Sequence, residues 1–198
     1  MLPPLAEGLS GVAPEEALDA LRRSTATLRE QAQRRACAAL KSRRCARLLL
    51  ELGRIASGGG ALAEAEELQA PAKSFTSGLL DRRMQRVLAR VGRRKPRSAA
   101  QLHALRIAVK KLRYAVEFFG PLYEAAQVPP FREALVKLQD CLGAINDAHA
   151  MLGRVRAAVG ADSRLVDCAG GWSARLIHEE KMQFRTLWRE FRDTRAFW

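Results

Sequence analysis

The residues best suited to chemistry in this sequence are a histidine and three cations arranged in a row. Within LHALRIAVKKLRYAVEFFGPLY, residues 102–123, His103, Arg106, Lys110 and Arg113 recur at steps of three and four. At about 100° per residue in a helix, these side chains fall within roughly 80° of arc, beside the apolar positions. Because Arg and Lys both bind phosphate oxygens strongly, the row predicts an anion-binding surface.

A second basic row precedes the first in the chain. Arg83, Arg86 and Arg90 have the same spacing of three and four residues, and no acidic residue is interleaved in either row. Side-chain pairs that stabilise a helix would alternate in sign. Since parallel unpaired cationic rows repel each other, we expect an anionic ligand to lie between them.

The charge of the chain is both large and uneven. The formal net charge is +13, and residues 73–120 carry 13 basic residues against Asp81 and Glu117, a net of +11. The remainder carries 21 basic and 19 acidic residues, a net of +2. This asymmetry favours a polyanionic partner, either nucleic acid, an anionic membrane or polymeric phosphate. A solvated basic face that serves only solubility is the alternative.

A polar stretch of another predicted helix could also carry chemistry. LVKLQDCLGAIND, residues 135–147, contains Gln139, Gly143, Asn146 and Asp147 within a helical pattern. Asn146 and Asp147 could supply a general base or a metal ligand. We favour a structural interpretation, in which Gly143 permits close helix approach while the amide and carboxylate tie neighbouring helices together.

Cysteine and histidine spacing gives no sign of a metal site. The four cysteines are scattered without a CxxC motif, and no two of the three histidines lie three to five residues apart. We expect no metal or cofactor, and reduced, mostly buried thiols in a cytoplasmic protein. No apolar run is long enough to span a bilayer, and the N-terminus lacks the pattern of a signal peptide.

The elements that must position these residues are all predicted to be helical. The sequence indicates a single domain, residues 1–198, folded as an antiparallel bundle of about five helices. The first helix is long, straight or bent, and runs from APEEALDAL to SGGG at 57–60. The others span about 74–91, 98–119, 130–159 and 163–192, with Ser98 as a cap and Gly170-Gly171 as a weak point in the last. No strand is predicted.

The longest motifs resemble those of a known family. LHALRIAVKKLRYAVEFF, followed by LVKLQDCLGAINDAHA, is similar to the CHAD family, the conserved histidine α-helical domain. AALKSRRCARLLLELG and FRTLWREF also resemble it. The resemblance implies a helical fold, binding of inorganic polyphosphate and association with polyphosphate granules. It also implies that the basic groove is lined by five residues: His103, Arg106, Lys110, Lys111 and Arg113.

The sequence departs from that family in one respect. A CHAD domain resembles two related bundles, each with its own histidine-and-arginine helix, and this sequence contains one such helix, similar to the C-terminal half. A half-domain would expose apolar surface that favours association. We therefore expect a homodimer, because twofold pairing is the commonest closed assembly, or else a tendency to aggregate.

The leading functional hypothesis is a non-catalytic module that binds inorganic polyphosphate or a similar polyanion. The alternatives are a non-specific nucleic-acid-binding protein and an accessory domain of a phosphate-processing enzyme. No acid, serine or cysteine accompanies the basic rows to perform catalysis, and no β-rich segment for a triphosphate-processing tunnel is present. No helix-turn-helix is found, and aromatic residues are not interleaved in the basic rows for base stacking.

Overall fold

The computed structural model describes residues 15–58, 71–92, 96, 98–160 and 163–198. Within these ranges it contains no strand, which confirms the all-α class. A 3₁₀ turn, Gly120–Leu122, joins the fourth and fifth helices. The six α-helices are α1 (Glu15–Leu40), α2 (Arg43–Ala56), α3 (Ala72–Val91), α4 (Ala99–Phe119), α5 (Val128–Val159) and α6 (Arg164–Asp193).

Local signals in the sequence set most helix boundaries. Ser98 caps α4 through a reciprocal capping box: its hydroxyl accepts from the Gln101 amide, and the Gln101 side chain accepts from the Ser98 amide, both over 3.2 Å. At the start of α6 the Ser163 hydroxyl accepts from the Leu165 amide. The predicted start of α6 and the cap of α4 are thus confirmed, and α3 and α5 begin two residues before their predicted starts.

The predicted long first helix is divided into two, so the described residues contain six helices where about five were predicted. The chain breaks at residues 41–42, where the Ser42 hydroxyl donates to the Ala39 carbonyl over 2.6 Å and accepts from the Cys45 amide over 3.2 Å. Ser42 therefore ends one helix and caps the next, a competition with helical bonding that is typical of serine. By contrast, Gly170-Gly171 does not interrupt α6, which is continuous for 30 residues.

Helices α3 to α6 enclose one hydrophobic core. The core-facing stripe of α4 is at most 3% exposed: Leu102, Leu105, Val109, Leu112 and Val116. At the end of the bundle Phe131, which is fully buried, contacts Phe191 and Trp198 with ring centroids 5.3 and 5.0 Å away. The indole of Trp198 donates to Asp81 over 2.8 Å and so ties the C-terminus to α3.

The first two helices are bound to this bundle at one end only. Leu18 and Leu21 pack against Met151 and Val155 of α5 and Leu165 of α6. Most of the periodic apolar positions that follow Leu21 on these two helices are exposed. They are Leu28, Ala32, Ala36, Leu40, Leu48, Leu49 and Leu52.

The structure also bears on three smaller points. All four cysteines are free, but only Cys141 is buried, so the expectation of mostly buried thiols is wrong. Phe75, on the apolar side of the sequence of α3, is 53% exposed. Among the described helices, none combines the length and apolar character needed to cross a bilayer. Pro14, the connection at 59–70 and the loop residues 93–95 and 97 lie outside the described residues.

Candidate functional site

Helix α4 has two separate flanks, one on each side of its buried face, and each flank carries at least one cation. One set, Ala104, Ile107, Ala108 and Lys111, lines a groove beside α3. The other set is the row predicted from the sequence, which we call the histidine row: His103, Arg106, Lys110 and Arg113. At 100° per residue the centres of the two sets lie roughly 130° apart around the helix. The row on α3 therefore meets Lys111, while the histidine row lies towards α5.

The groove between α3 and α4 is lined by four cations. It has a volume of about 520 Å³, and its charged residues are Arg83, Arg86, Arg90 and Lys111. The remaining lining residues are small or aliphatic, namely Ala89, Ala104, Ile107 and Ala108. Among the described residues none of the four cations forms an ion pair, and Arg83 alone is half-buried. We call this feature the α3–α4 groove.

The two acidic residues within 73–120 do not neutralise this groove. Asp81 accepts the hydrogen bond from the Trp198 indole. Glu117 lies 3.4 Å from Arg113 of the histidine row, one turn further along α4. Neither carboxylate lines the groove, so its field remains positive.

The histidine row is connected to α5 through His103. Its Nδ1 lies 2.7 Å from Asn146 Oδ1, while the Asn146 amide nitrogen lies 3.5 Å from Asp147 Oδ1. The interpretation that Asn146 ties neighbouring helices together is confirmed. Asp147 contacts its own neighbour on α5, so the pair does not present two free catalytic groups.

Two contacts define the register between α4 and α5. His103 meets Asn146, and Gly120 lies close to Val128, whose Cγ1 would be 3.1 Å from a Cβ at the glycine. These antiparallel contacts place Arg106 opposite Gly143 and Lys110 opposite Gln139. A Cβ added at Gly143 would meet nothing within 4 Å. The prediction that Gly143 permits close helix approach is therefore wrong, and the space beside Gly143 is open.

Several polar atoms along this side are buried without a protein partner. They are Arg106 Nε, Arg113 Nε and Gln139 Oε1. A buried donor that lacks a partner costs about 1–3 kcal/mol, so these guanidinium groups are incompletely satisfied. Because the Nε atoms are shielded from solvent, an external acceptor would meet other N–H groups of the same half-buried side chains. The open space beside Gly143 leaves room for one. An oxyanion would supply both the acceptor atoms and the compensating charge.

Sequence reasoning missed one aromatic residue among these cations. Tyr114 is 48% exposed. Lys110 Nζ lies 5.4 Å and Arg113 Cζ lies 5.2 Å from the centroid of its ring. The signal was present in the run KKLRY, where the tyrosine directly follows the basic residues. Tyr114 thus holds two side chains of the histidine row in place through cation–π contacts.

A second histidine also lies near this row. His149 and His103 line one pocket of about 400 Å³ together with Asn146. They are 46 positions apart in the sequence, so spacing alone could not have revealed this proximity. Within the described ranges, no three His, Cys, Asp or Glu residues are grouped so that they could hold a metal ion.

Comparison with known families gives one match, which covers most of the chain. The CHAD domain matches residues 2–156, a range that includes α3, α4 and nearly all of α5. The chain belongs to the CHAD family. Both basic features of this CHAD domain lie inside the matched range, whereas FRTLWREF in α6 lies beyond it. No curated protein and no solved structure matches the chain.

Proposed function

We propose that this CHAD domain is a non-catalytic binding module for inorganic polyphosphate or a similar polyanion. The observation that carries the proposal is the α3–α4 groove, where four cations without ion pairs among the described residues line one concave surface. Guanidinium forks and an ammonium group are the side chains that bind phosphate oxygens most strongly. The histidine row supplies a second, adjacent anion-binding surface.

The lining of the groove favours a thin chain of phosphates over a nucleic acid. Its floor is formed by Ala89, Ala104 and Ala108, which leave space between the cationic side chains. No aromatic residue lines it, so bases would find no surface on which to stack. A flexible polymer that presents anionic oxygens on all sides can enter such a groove, whereas a duplex is too broad to do so.

The histidine row lies on the other flank of α4, and we propose that the bound polyphosphate chain continues across the helix to it. Arg106 and Arg113 have buried Nε atoms that lack partners, and the space beside Gly143 is open. A polyphosphate chain that leaves the α3–α4 groove over Lys110 would reach this side of the helix. The proposed site therefore comprises both surfaces: Arg83, Arg86, Arg90, His103, Arg106, Lys110, Lys111 and Arg113.

Non-specific nucleic-acid binding is the second candidate function, and Tyr114 is the observation that favours it. Its half-exposed ring lies beside Lys110 and Arg113, an arrangement that suits a single-stranded base. The ring is already held by two cations, which competes with stacking. We therefore rank this function second, together with a role as accessory domain of a phosphate-processing enzyme. A cytoplasmic location, with association to polyphosphate granules, follows from the leading proposal.

A comparison of variants with equal charge tests the proposal. We expect Arg86→Ala/Arg90→Ala to weaken polyphosphate binding at least tenfold. It should also reduce the slope of log affinity against log salt by about 0.7 per lost phosphate contact. The control is Arg185→Ala/Arg189→Ala, which removes the same charge from exposed positions on α6.

The control should retain nearly the affinity and the salt slope of the wild-type protein. Binding can be measured by fluorescence anisotropy of labelled long-chain polyphosphate at several salt concentrations. An equal loss in both double variants would mean that net charge alone attracts the polymer, and it would refute the groove as the site.

A further inference from the structure

We infer that the exposed face of α1 and α2 binds the same face of a second copy of this chain, in an antiparallel homodimer. Helix α2 has no buried residue, although its side chains are sorted into two faces. At 100° per residue, its apolar face covers roughly 120° and its charged face roughly 100°. The apolar face consists of Cys45, Leu48, Leu49, Leu52, Ile55 and Ala56. The charged face consists of Arg43, Arg44, Arg47, Glu51 and Arg54.

Helix α1 carries an exposed apolar stripe of its own. Leu18 and Leu21, at 3% and 4% exposure, belong to a stripe that continues through Leu28, Ala32 and Ala36. These last three residues are exposed. Among the described residues, the stripe that attaches α1 to the bundle therefore continues unburied from Leu21 to Ala36, about 22 Å at 1.5 Å per residue. A helix that is apolar on one side normally buries that side.

The exposed apolar area is of the size that an interface needs. Six large side chains on the two helices are between 42% and 71% exposed: Leu28, Leu40, Leu48, Leu49, Leu52 and Ile55. Together with the smaller residues, they offer on the order of 400 Å² of apolar surface per copy. A standard interface buries about 800 Å² per partner, rather more than half of it apolar. The patch thus supplies the apolar core of such an interface.

The position of the charges favours a second copy as the occupant. Arg44 and Glu51 lie at the same edge of the apolar face, within roughly 20° of each other around the helix. Glu51 also pairs with Arg54 of its own helix over 3.0 Å, so it would be shared between Arg54 and Arg44 of the second copy. In an antiparallel pair of α2 helices, a twofold axis between the two copies at the level of Leu48 brings Arg44 of each copy opposite Glu51 of the other. The same axis sets Cys45 against Leu52 in the partner copy. The face is therefore self-complementary, as an isologous contact requires.

The net charge of +13 on each copy opposes this association at low salt. Screening shortens the reach of that repulsion, so dimerisation should strengthen as salt rises. This is the opposite of the salt dependence expected for polyphosphate binding. Polyphosphate should also promote the dimer, since it neutralises the same charge. The decisive measurement is therefore made without polyphosphate, so that it is independent of the proposed function.

Sedimentation velocity of the full chain over a micromolar concentration series tests the dimer. In moderate salt we expect the mass to rise from 21.9 kDa towards twice that value. Leu49→Asp should remain monomeric to at least tenfold higher concentration. The matched control is Leu50→Asp on the same helix, because Leu50 is 75% exposed and lies roughly 160° from the centre of the apolar face. It should dimerise like the wild-type protein, and circular dichroism should show equal helicity in both variants.

A charge-exchange cycle tests the register. Arg44→Glu and Glu51→Arg should each weaken the dimer about fivefold or more, and the double variant should restore it. The first substitution is the sharper test because it lowers the net charge, which alone would strengthen association. A wild-type monomer at all concentrations would overturn the inference. So would equal effects of Leu49→Asp and Leu50→Asp, or binding of the apolar face to anionic vesicles without self-association.

Discussion

His103 Nδ1 lies 2.7 Å from Asn146 Oδ1 and joins the basic helix α4 to α5. An amide oxygen can only accept a hydrogen bond, so the imidazole must carry a proton on Nδ1. This leaves Nε2 as the ring atom free to meet a ligand. Asn146 thus fixes the orientation of the His103 ring. Arg106 follows one turn further along α4, and its Nε has no partner among the described residues.

We predict that neutral His103 occupies the Nδ1–H tautomer. Long-range proton–nitrogen NMR spectra of the imidazole distinguish this tautomer from the more common Nε2–H form. In Asn146→Leu the accepting oxygen is lost, so the preference for Nδ1–H should disappear. His178, which is exposed on α6, provides the internal reference. An Nε2–H tautomer for His103 in the wild-type protein would show that Asn146 does not orient the ring.

We predict no hydrolysis of polyphosphate, nucleoside triphosphates or phosphate esters, with or without divalent metal. Asp140 and Asp147 lie on α5, and neither lines the α3–α4 groove. Asp147 instead lies beside the Asn146 amide. A phosphate-release assay at high protein concentration checks this expectation. Turnover that is lost in Asp147→Ala, with helicity unchanged, would contradict the assignment of a purely binding role.

We predict that Phe131→Ala lowers the free energy of unfolding by about 3–5 kcal/mol, because it leaves a cavity in the core. Phe131 is fully buried among Phe191, Phe197 and Trp198. Phe75→Ala is the control, and it should cost about 0.5 kcal/mol or less because Phe75 is 53% exposed. Urea denaturation measures both values. Similar losses in the two variants would argue against the described packing of the aromatic cluster.

We predict that Cys141 reacts with iodoacetamide far more slowly than exposed Cys37. Burial raises the pKa of the Cys141 thiol from 9.0 to about 12, and its hydrogen bond to the Glu180 carbonyl acts in the same direction. Because the folded-state pKa is raised, the resulting stabilisation is present below pH 9 and is lost as the pH rises towards 12. Mass spectrometry of alkylated peptides measures the two rates. Equal rates would mean that Cys141 is not buried as described.

Much of the fold could be predicted from periodicity and capping signals. The stripe from Leu102 to Val116 and the caps Ser98 and Ser163 are local features, and they determine helices regardless of distant contacts. The break at Ser42 could not be predicted in this way. LKSRRC continues a helical pattern. The break depends on the Ser42 hydroxyl bonding to both the Ala39 carbonyl and the Cys45 amide, which the pattern does not reveal. The exposure of Leu48 and Leu52 was also hidden, because an amphipathic pattern indicates a face but not its partner.

The candidate site was predicted in its residues but not in its arrangement. Spacing identified both cationic rows, since helical geometry relates residues three and four apart. It did not show on which side of α4 each neighbouring helix packs. In the structure α3 packs on the flank of α4 that carries Lys111. Lys111, and not His103, therefore lies across the groove from Arg83 and Arg86. The approach of His149 to His103 also depends on the register of α4 against α5.

The central claim, that the basic surfaces bind polyphosphate, is tested most directly by competition. Labelled long-chain polyphosphate bound to the protein is titrated with duplex DNA, and then with RNA, at equal phosphate concentration and one moderate salt concentration. A single salt concentration is essential because the affinity for every polyanion falls as salt rises. We predict that polyphosphate binds more tightly than either nucleic acid and displaces both. Equal or tighter binding of duplex DNA would contradict the account and identify a nucleic-acid-binding protein instead.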